Sequence, residues 1–240
     1  MPLAHHNGPK GNQAIFFAHV PKTGGSSVED YLISRFGPLS LIDENKRTGV
    51  RGTGLIVPAT HLAAVDIKEL VPHDLAYSFA VVRDPLRRLE SEFRYQSGVS
   101  QMSKLGFSPW LKVMLKAAST EPRLYENHIR PQSDLVPEGA EIFKLEDGFD
   151  AMIAALDRVT GTTMPDLTVP HINTRKKEPI TMSRADVAAV VDFYAADYDR
   201  FGYPRPDPGD YPDSASGWRD HLAGPLAAAL VRKQHRDWVK

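Results

Sequence analysis

The chain has 240 residues, 42% hydrophobic and 25% charged, with 29 basic and 30 acidic side chains and no cysteine. At roughly 150 residues per domain this is one to two domains, and a chain of this size buries roughly 70–75% of its unfolded surface, so it needs no covalent staple. The missing cysteine excludes a disulfide scaffold, a thiolate zinc site and a cysteine nucleophile, and a net charge of −1 argues against a nucleic-acid binder. No apolar run approaches the ~18 residues of a membrane span. Residues 1–13 are polar and lack the apolar centre of a secretory signal. The composition describes a soluble, intracellular globular protein.

The first 13 residues, rich in Gly, Asn and Pro, are expected to form a flexible tail that includes His5 and His6. Residues 14–20 are a continuous apolar run, the pattern of a strand buried on both faces of a parallel sheet. The loop Pro21-Lys-Thr-Gly-Gly-Ser-Ser27 follows, and then a helix over 28–36 that ends at Gly37-Pro38. A short strand is expected over 54–60, with His61 just beyond it. A second strand–helix unit starts at 77–82 and ends in Arg83-Asp84-Pro85. There Asp84 suits an N-cap and Pro85 the first position of a helix over 86–95.

The stretch 101–137 is the least regular and holds one expected helix, 109–118. A strand over 140–145 and a helix over 150–159 come next. Ser183-x-x-Asp186 is a capping box, and Val187, Val190, Val191, Tyr194, Tyr198 and Phe201 fall on one helical stripe. The Pro-rich stretch 204–217 reads as a linker to a last helical segment, 218–240, that either pairs two chains as a homodimer or packs back on the domain. Strands alternating with helices predict an α/β fold with a mainly parallel sheet across a 14–203 domain.

A strand, a Gly-rich turn and a helix form an anion site, because free backbone N–H groups and the helix dipole converge there. Gly24 and Gly25 admit a ligand close to the backbone, Ser26 and Ser27 add hydroxyls, and Lys22 brings a positive charge. A P-loop nucleotidase carries its lysine after the glycines. Here it precedes them. The stretch His19-Val-Pro-Lys-Thr-Gly-Gly-Ser-Ser27 resembles the 5′-phosphosulfate loop of sulfotransferases that use 3′-phosphoadenosine 5′-phosphosulfate (PAPS), in the carbohydrate (type 2) branch of that family. The resemblance implies a P-loop-like α/β fold, a donor site made of Lys22, Thr23, Gly24, Gly25, Ser26 and Ser27, and a Lys22 contact with the bridging oxygen of the donor. Charge builds on that oxygen as the S–O bond breaks, so a fixed cation lowers the barrier.

Val81-Val-Arg-Asp-Pro-Leu-Arg-Arg-Leu-Glu-Ser91 is similar to the family's 3′-phosphate element, with Arg83 and Ser91 at the matching spacing. Arginine grips a phosphate bidentately, and a hydroxyl two helical turns on adds a bond. The resemblance implies no metal. The rival reading makes Asp84 a magnesium ligand in a kinase; a non-catalytic nucleotide-binding protein is a third.

Sulfation of a hydroxyl requires a base near the sulfur. His61 is suited to it, since imidazole titrates near neutral pH. It stands where related enzymes carry a Gly-His pair, with Thr60 in place of the glycine. Glu44 is the alternative, because other branches place a glutamate at about that distance after the loop. Tyr125-Glu-Asn-His-Ile-Arg-Pro-Gln132 is similar to an acceptor-side segment of carbohydrate sulfotransferases, which makes His128, Arg130 and Gln132 candidate contacts for a carbohydrate or related small hydroxyl acceptor. An ordinary surface loop is the competing reading. Asn173-Thr-Arg-Lys-Lys177 is a basic loop in which Arg175 and Lys176 close over the nucleotide's 3′-phosphate, attract an acidic glycan or form a solvated charge run. Relatives in the secretory pathway carry a membrane anchor; without one, a cytoplasmic enzyme of bacterial type, or a shortened chain, is expected.

Overall fold

The computed structural model describes residues 2–42, 59–67, 75–99, 106–170 and 179–213. Its strands are β1 (Leu3–Gly8), β2 (Gly11–Ala18), β3 (Tyr77–Val82) and β4 (Glu141–Lys144). Its longer helices are α1 (Gly25–Phe36), α2 (Pro85–Val99), α3 (Phe107–Thr120), α4 (Asp150–Thr160), α5 (Arg184–Phe193) and α6 (Ala195–Phe201). The chain divides into two compact units, residues 1–83 with 132–175 and residues 84–131 with 176–240.

The first unit is built on one sheet in the order β1-β2-β3-β4, with β1 antiparallel to β2 and the other two pairings parallel. Phe17 lies opposite Phe79 and Ala80 opposite Ile142. Ile15, Phe16, Phe17 and Ala18 are all buried, so both faces of β2 are covered, as its unbroken apolar run requires. One face, carrying Ile15, Phe17, Phe79, Val81 and Phe143, packs with Val28, Tyr31 and Leu32 of α1 and with Met152 and Leu156 of α4. Each such fully buried side chain contributes about 1.5–3 kcal/mol. The Arg35 guanidinium links α1 to α4 through Asp157 Oδ1 at 2.7 Å and the carbonyl of Thr162 at 2.9 Å. An arginine on the apolar face of α1 therefore has a charged partner. The architecture is α/β, as expected.

The stretch expected to be a flexible tail is instead strand β1 and the start of β2. Pro9-Lys10 between Gly8 and Gly11 is turn chemistry, and Gly11 takes the left-handed conformation (φ 88°) that closes a hairpin. Leu3 and Ala4 are buried, and Lys10 Nζ donates to the carbonyl of Arg158 at 2.7 Å. Of the strand expected over 54–60, the described end is a 3₁₀ turn, Ala59–His61. Pro58 just ahead of it has no N–H for a ladder. The remainder of that span lies outside the described residues.

The second unit packs α2, α3, α5 and α6 around Leu89, Trp110, Met114, Val187, Val190, Tyr194 and Tyr198. Asp84 caps α2 as expected, its Oδ1 accepting from the Arg87 N–H at 2.9 Å. The capping box of α5 is formed in both directions, Asp186 N–H to Ser183 Oγ and Ser183 N–H to Asp186 Oδ2. The stripe predicted as one helix is two, broken at Tyr194 (φ −104°, ψ 24°). Residues 204–213 hold a single 3₁₀ turn, Pro208–Asp210, and return to α5, where Arg184 N–H donates to the carbonyl of Pro212. The expected 218–240 helix lies outside the described residues. Among the described residues, no helix is long and apolar enough to cross a membrane.

Candidate active site

In the first unit, the chain leaves β2 through His19-Val20, turns at residues 21–24 and enters α1 at Gly25. Two left-handed residues make the turn, Lys22 (φ 70°) and Gly24 (φ 84°). Glycine adopts this conformation freely, whereas a lysine there carries strain of roughly 1–2 kcal/mol. Such strain persists where surrounding contacts hold it. Here the carbonyl of Lys22 accepts from Arg83 Nη1 at 3.3 Å, and the hydroxyl of the buried Thr23 donates to the carbonyl of Val20 at 2.9 Å. Ser26 is exposed at the mouth and Ser27 is buried. The first turn of α1 carries no acidic side chain, so nothing there competes with an incoming anion for its amides and dipole.

His19 explains the second glycine. A Cβ on Gly25 would lie 2.0 Å from His19 Nε2, so the imidazole occupies the space of a side chain at that position. The ring is buried, held by Glu29 Oε1 at 2.5 Å from its Nδ1 and stacked on Phe17. His61 meets it edge to face, with ring centroids 4.9 Å apart and an interplanar angle of 89°. The 3₁₀ turn thus brings His61 to the base of the phosphate loop through His19. Both His61 and Thr60 are buried.

Arg83 stands at the end of β3. Its peptide is clamped by Gln132, whose Nε2 donates to the carbonyl of Arg83 at 2.7 Å and whose Oε1 accepts from the Arg83 N–H at 3.0 Å. Gln132 is fully buried. Its amide, expected at the acceptor, therefore serves to fix Arg83 where the ladder of β3 has ended.

In the second unit, Ser91 lies half-buried on α2, eight residues after Arg83. His128 and Arg130 belong to a segment with unusual backbone: Tyr125 (φ 47°, ψ 49°), Glu126 (φ 58°, ψ 42°) and Asn127 (φ 66°) are consecutively left-handed. Without glycine this costs roughly 1–2 kcal/mol per residue. The segment is held from α2 and from Tyr194, at the break between α5 and α6. The Arg88 guanidinium, almost fully buried, donates to the carbonyls of His128 at 2.9 Å and Arg130 at 3.0 Å, and the Tyr194 hydroxyl donates to the carbonyl of Ile129 at 2.5 Å. Burial pushes the Tyr194 phenol well above its ordinary range, so it remains a donor. His128 Nδ1 lies 2.8 Å from the buried Glu92 carboxylate. Arg130 is half-buried.

Glu44, Arg175 and Lys176 lie outside the described residues. Of the other candidates, the structure joins Lys22, Thr23, Gly24, Gly25, Ser26, Ser27, His61, Arg83 and Gln132 in one unit and places Ser91, His128 and Arg130 in the other. Sequence reasoning missed the Glu29–His19 pair and the buried Arg88 and Glu92. The last two carried a signal: Arg88, Glu92 and Gln96 recur every four residues on a predicted helix, a polar stripe that reads as a solvated face until its partners are known.

No curated protein and no solved structure matches the chain. A family model described as the sulfotransferase family matches residues 10–204, which include every element of the sheet's parallel core, the 21–27 loop and the 83–91 stretch. This match, over residues that include the strand–loop–helix turn and Arg83 bonded to it, settles the family: the chain belongs to the sulfotransferases, enzymes of sulfuryl transfer.

Proposed function

We propose that the protein transfers a sulfuryl group from PAPS to a hydroxyl of a carbohydrate or related small acceptor. The observation that carries this reading is the hydrogen bond from Arg83 to the carbonyl of Lys22. Two motifs sixty-one residues apart in the chain, each suited to a phosphate, meet at one place. The donor fits the residues present: a left-handed glycine, a half-buried lysine and a helix N-terminus without acidic side chains.

PAPS supplies the activated sulfuryl group. Lys22 neutralises the charge that develops on the departing phosphate, the amides of the first turn of α1 hold the 5′ side, and Arg83 with Ser91 holds the 3′-phosphate. His61 accepts the proton of the acceptor hydroxyl, with His19 packed against it. In the second unit, His128 and Arg130 are assigned to the acceptor. The kinase reading has no support, since the Asp84 carboxylate caps α2.

The test is thermal stabilisation by adenosine 3′,5′-bisphosphate, with 5′-AMP and ATP plus magnesium as controls. A ligand at 100 times its Kd adds about 2.7 kcal/mol. A shift specific to the bisphosphate, and lost in Arg83→Ala, is expected. A shift only with ATP and magnesium, or none with any nucleotide, overturns the proposal.

A further inference from the structure

The buried polar groups of the second unit form a chain whose direction is fixed at both ends. Trp110 Nε1 lies 2.9 Å from Gln96 Oε1, Gln96 Nε2 lies 2.7 Å from Glu92 Oε1, and Glu92 Oε2 lies 2.8 Å from His128 Nδ1. An indole N–H only donates, so Gln96 must turn its oxygen to Trp110 and its NH₂ to Glu92. An ionised carboxylate only accepts, so the proton between Glu92 and His128 sits on Nδ1. All four side chains are at most 8% exposed. The same imidazole hangs on the left-handed turn at 125–127, while Arg88 and Tyr194 hold the carbonyls of His128, Ile129 and Arg130, at the ring's attachment and just after it. A strained backbone held by this many buried donors is the arrangement found where one side chain must be presented in one orientation.

We propose that Glu92 is a positioning residue that, through the Trp110–Gln96 relay, locks His128 in the Nδ1–H tautomer, so that Nε2 receives a hydrogen bond from a hydroxyl of the acceptor other than the one that is sulfated. The inference rests on the acceptor role assigned to His128 above. It deepens that role by naming the atom and what sets it. A carboxylate behind an imidazole fixes both ring orientation and tautomer, which is how a ring nitrogen is kept ready to accept. Tyr95, partly exposed, lies against the same ring with centroids 5.8 Å apart.

The experiment reads the tautomer directly, by long-range ¹H–¹⁵N correlation of the imidazoles with His128→Gln used for assignment. Wild-type protein, at a pH where the ring is neutral, should show Nδ1–H. In Glu92→Gln, Gln96 still offers its NH₂ to the new oxygen, so the new amide NH₂ faces His128 and the ring should switch to Nε2–H. Acceptor kcat/KM should then fall about 100-fold while binding of the 3′,5′-bisphosphate stays unchanged. Adding Trp110→Phe frees Gln96 to turn over, which should return the Nδ1–H tautomer and most of the activity. An Nε2–H ring in the wild type overturns the proposal. So does a switched tautomer with unchanged acceptor kinetics. A wild-type protein that ignores the bisphosphate counts against the PAPS reading instead, and leaves the tautomer measurement to decide the relay.

Discussion

Substituting Gly25 by alanine tests the packing beneath the phosphate loop. The added Cβ would stand 2.0 Å from His19 Nε2, 2.2 Å from Cδ2 and 2.6 Å from Cε1. Carbon atoms pack comfortably at about 3.5–4.0 Å, so the ring or the loop must move by roughly 1.5 Å. The ring has little room: it is 6% exposed, bonded to Glu29, stacked on Phe17 and met edge-on by His61. Expelling it breaks a charge-assisted hydrogen bond worth about 1.5–3 kcal/mol, and retaining it overpacks the loop at about 1–3 kcal/mol. Either route destabilises by about 1–3 kcal/mol, which at this chain length lowers Tm by roughly 2–12 °C.

Urea titration and thermal melting measure the loss. The matched control is Gly98→Ala on α2, where a Cβ meets nothing within 4 Å. Replacing that helical glycine should stabilise by about 0.5–1 kcal/mol. Combining His19→Ala with Gly25→Ala removes the collision, so the pair should be less destabilised than the sum of the two single changes. A Gly25→Ala protein that melts with the wild type would refute the argument, because the imidazole could not then lie against the helix start.

Two further outcomes follow from the same structure. Lys22→Ala should lower kcat by about 10²–10³ in a sulfuryl-transfer assay while the protein still melts cooperatively, and unchanged turnover would remove Lys22 from the reaction. Burial raises the phenols of Tyr77, Tyr125, Tyr194 and Tyr198, and more moderately that of Tyr95. In the unfolded chain these groups lose their protons near pH 10, before they do so in the fold. The contribution of these tyrosines to stability should therefore be constant below that pH and be lost as pH rises above it. The tyrosinate absorbance of these five should appear together with unfolding, and their smooth ionisation in a still-folded protein would contradict the burial.

Local chemistry made much of this protein legible in its sequence. The unbroken run at 15–18 had to be covered on both faces, Ser183-x-x-Asp186 had to cap a helix, and Asp84-Pro85 had to start one. Each of these depends on neighbours in sequence, where covalent spacing limits the options. The strand–loop–helix turn at 15–36 was readable for the same reason, since an apolar run, two glycines and a helix start lie within a dozen residues. The 1–13 segment misled because Gly and Pro mark a hairpin turn as well as a frayed end. Only the β1–β2 register, with Leu3 and Ala4 buried, distinguishes the two.

What tertiary structure alone decided are the partners of polar side chains. Gln132 lies forty-nine residues from the Arg83 peptide that it clamps, and Glu92 lies thirty-six from His128. An amide or a carboxylate has the same appearance in a sequence whether it faces water, a substrate or a buried peptide. Its meaning is set by what the fold places within about 3 Å of it. His19 shows both sides of this division. Its place before the loop is covalent, but the reason residue 25 must be glycine is the imidazole that folding lays across it.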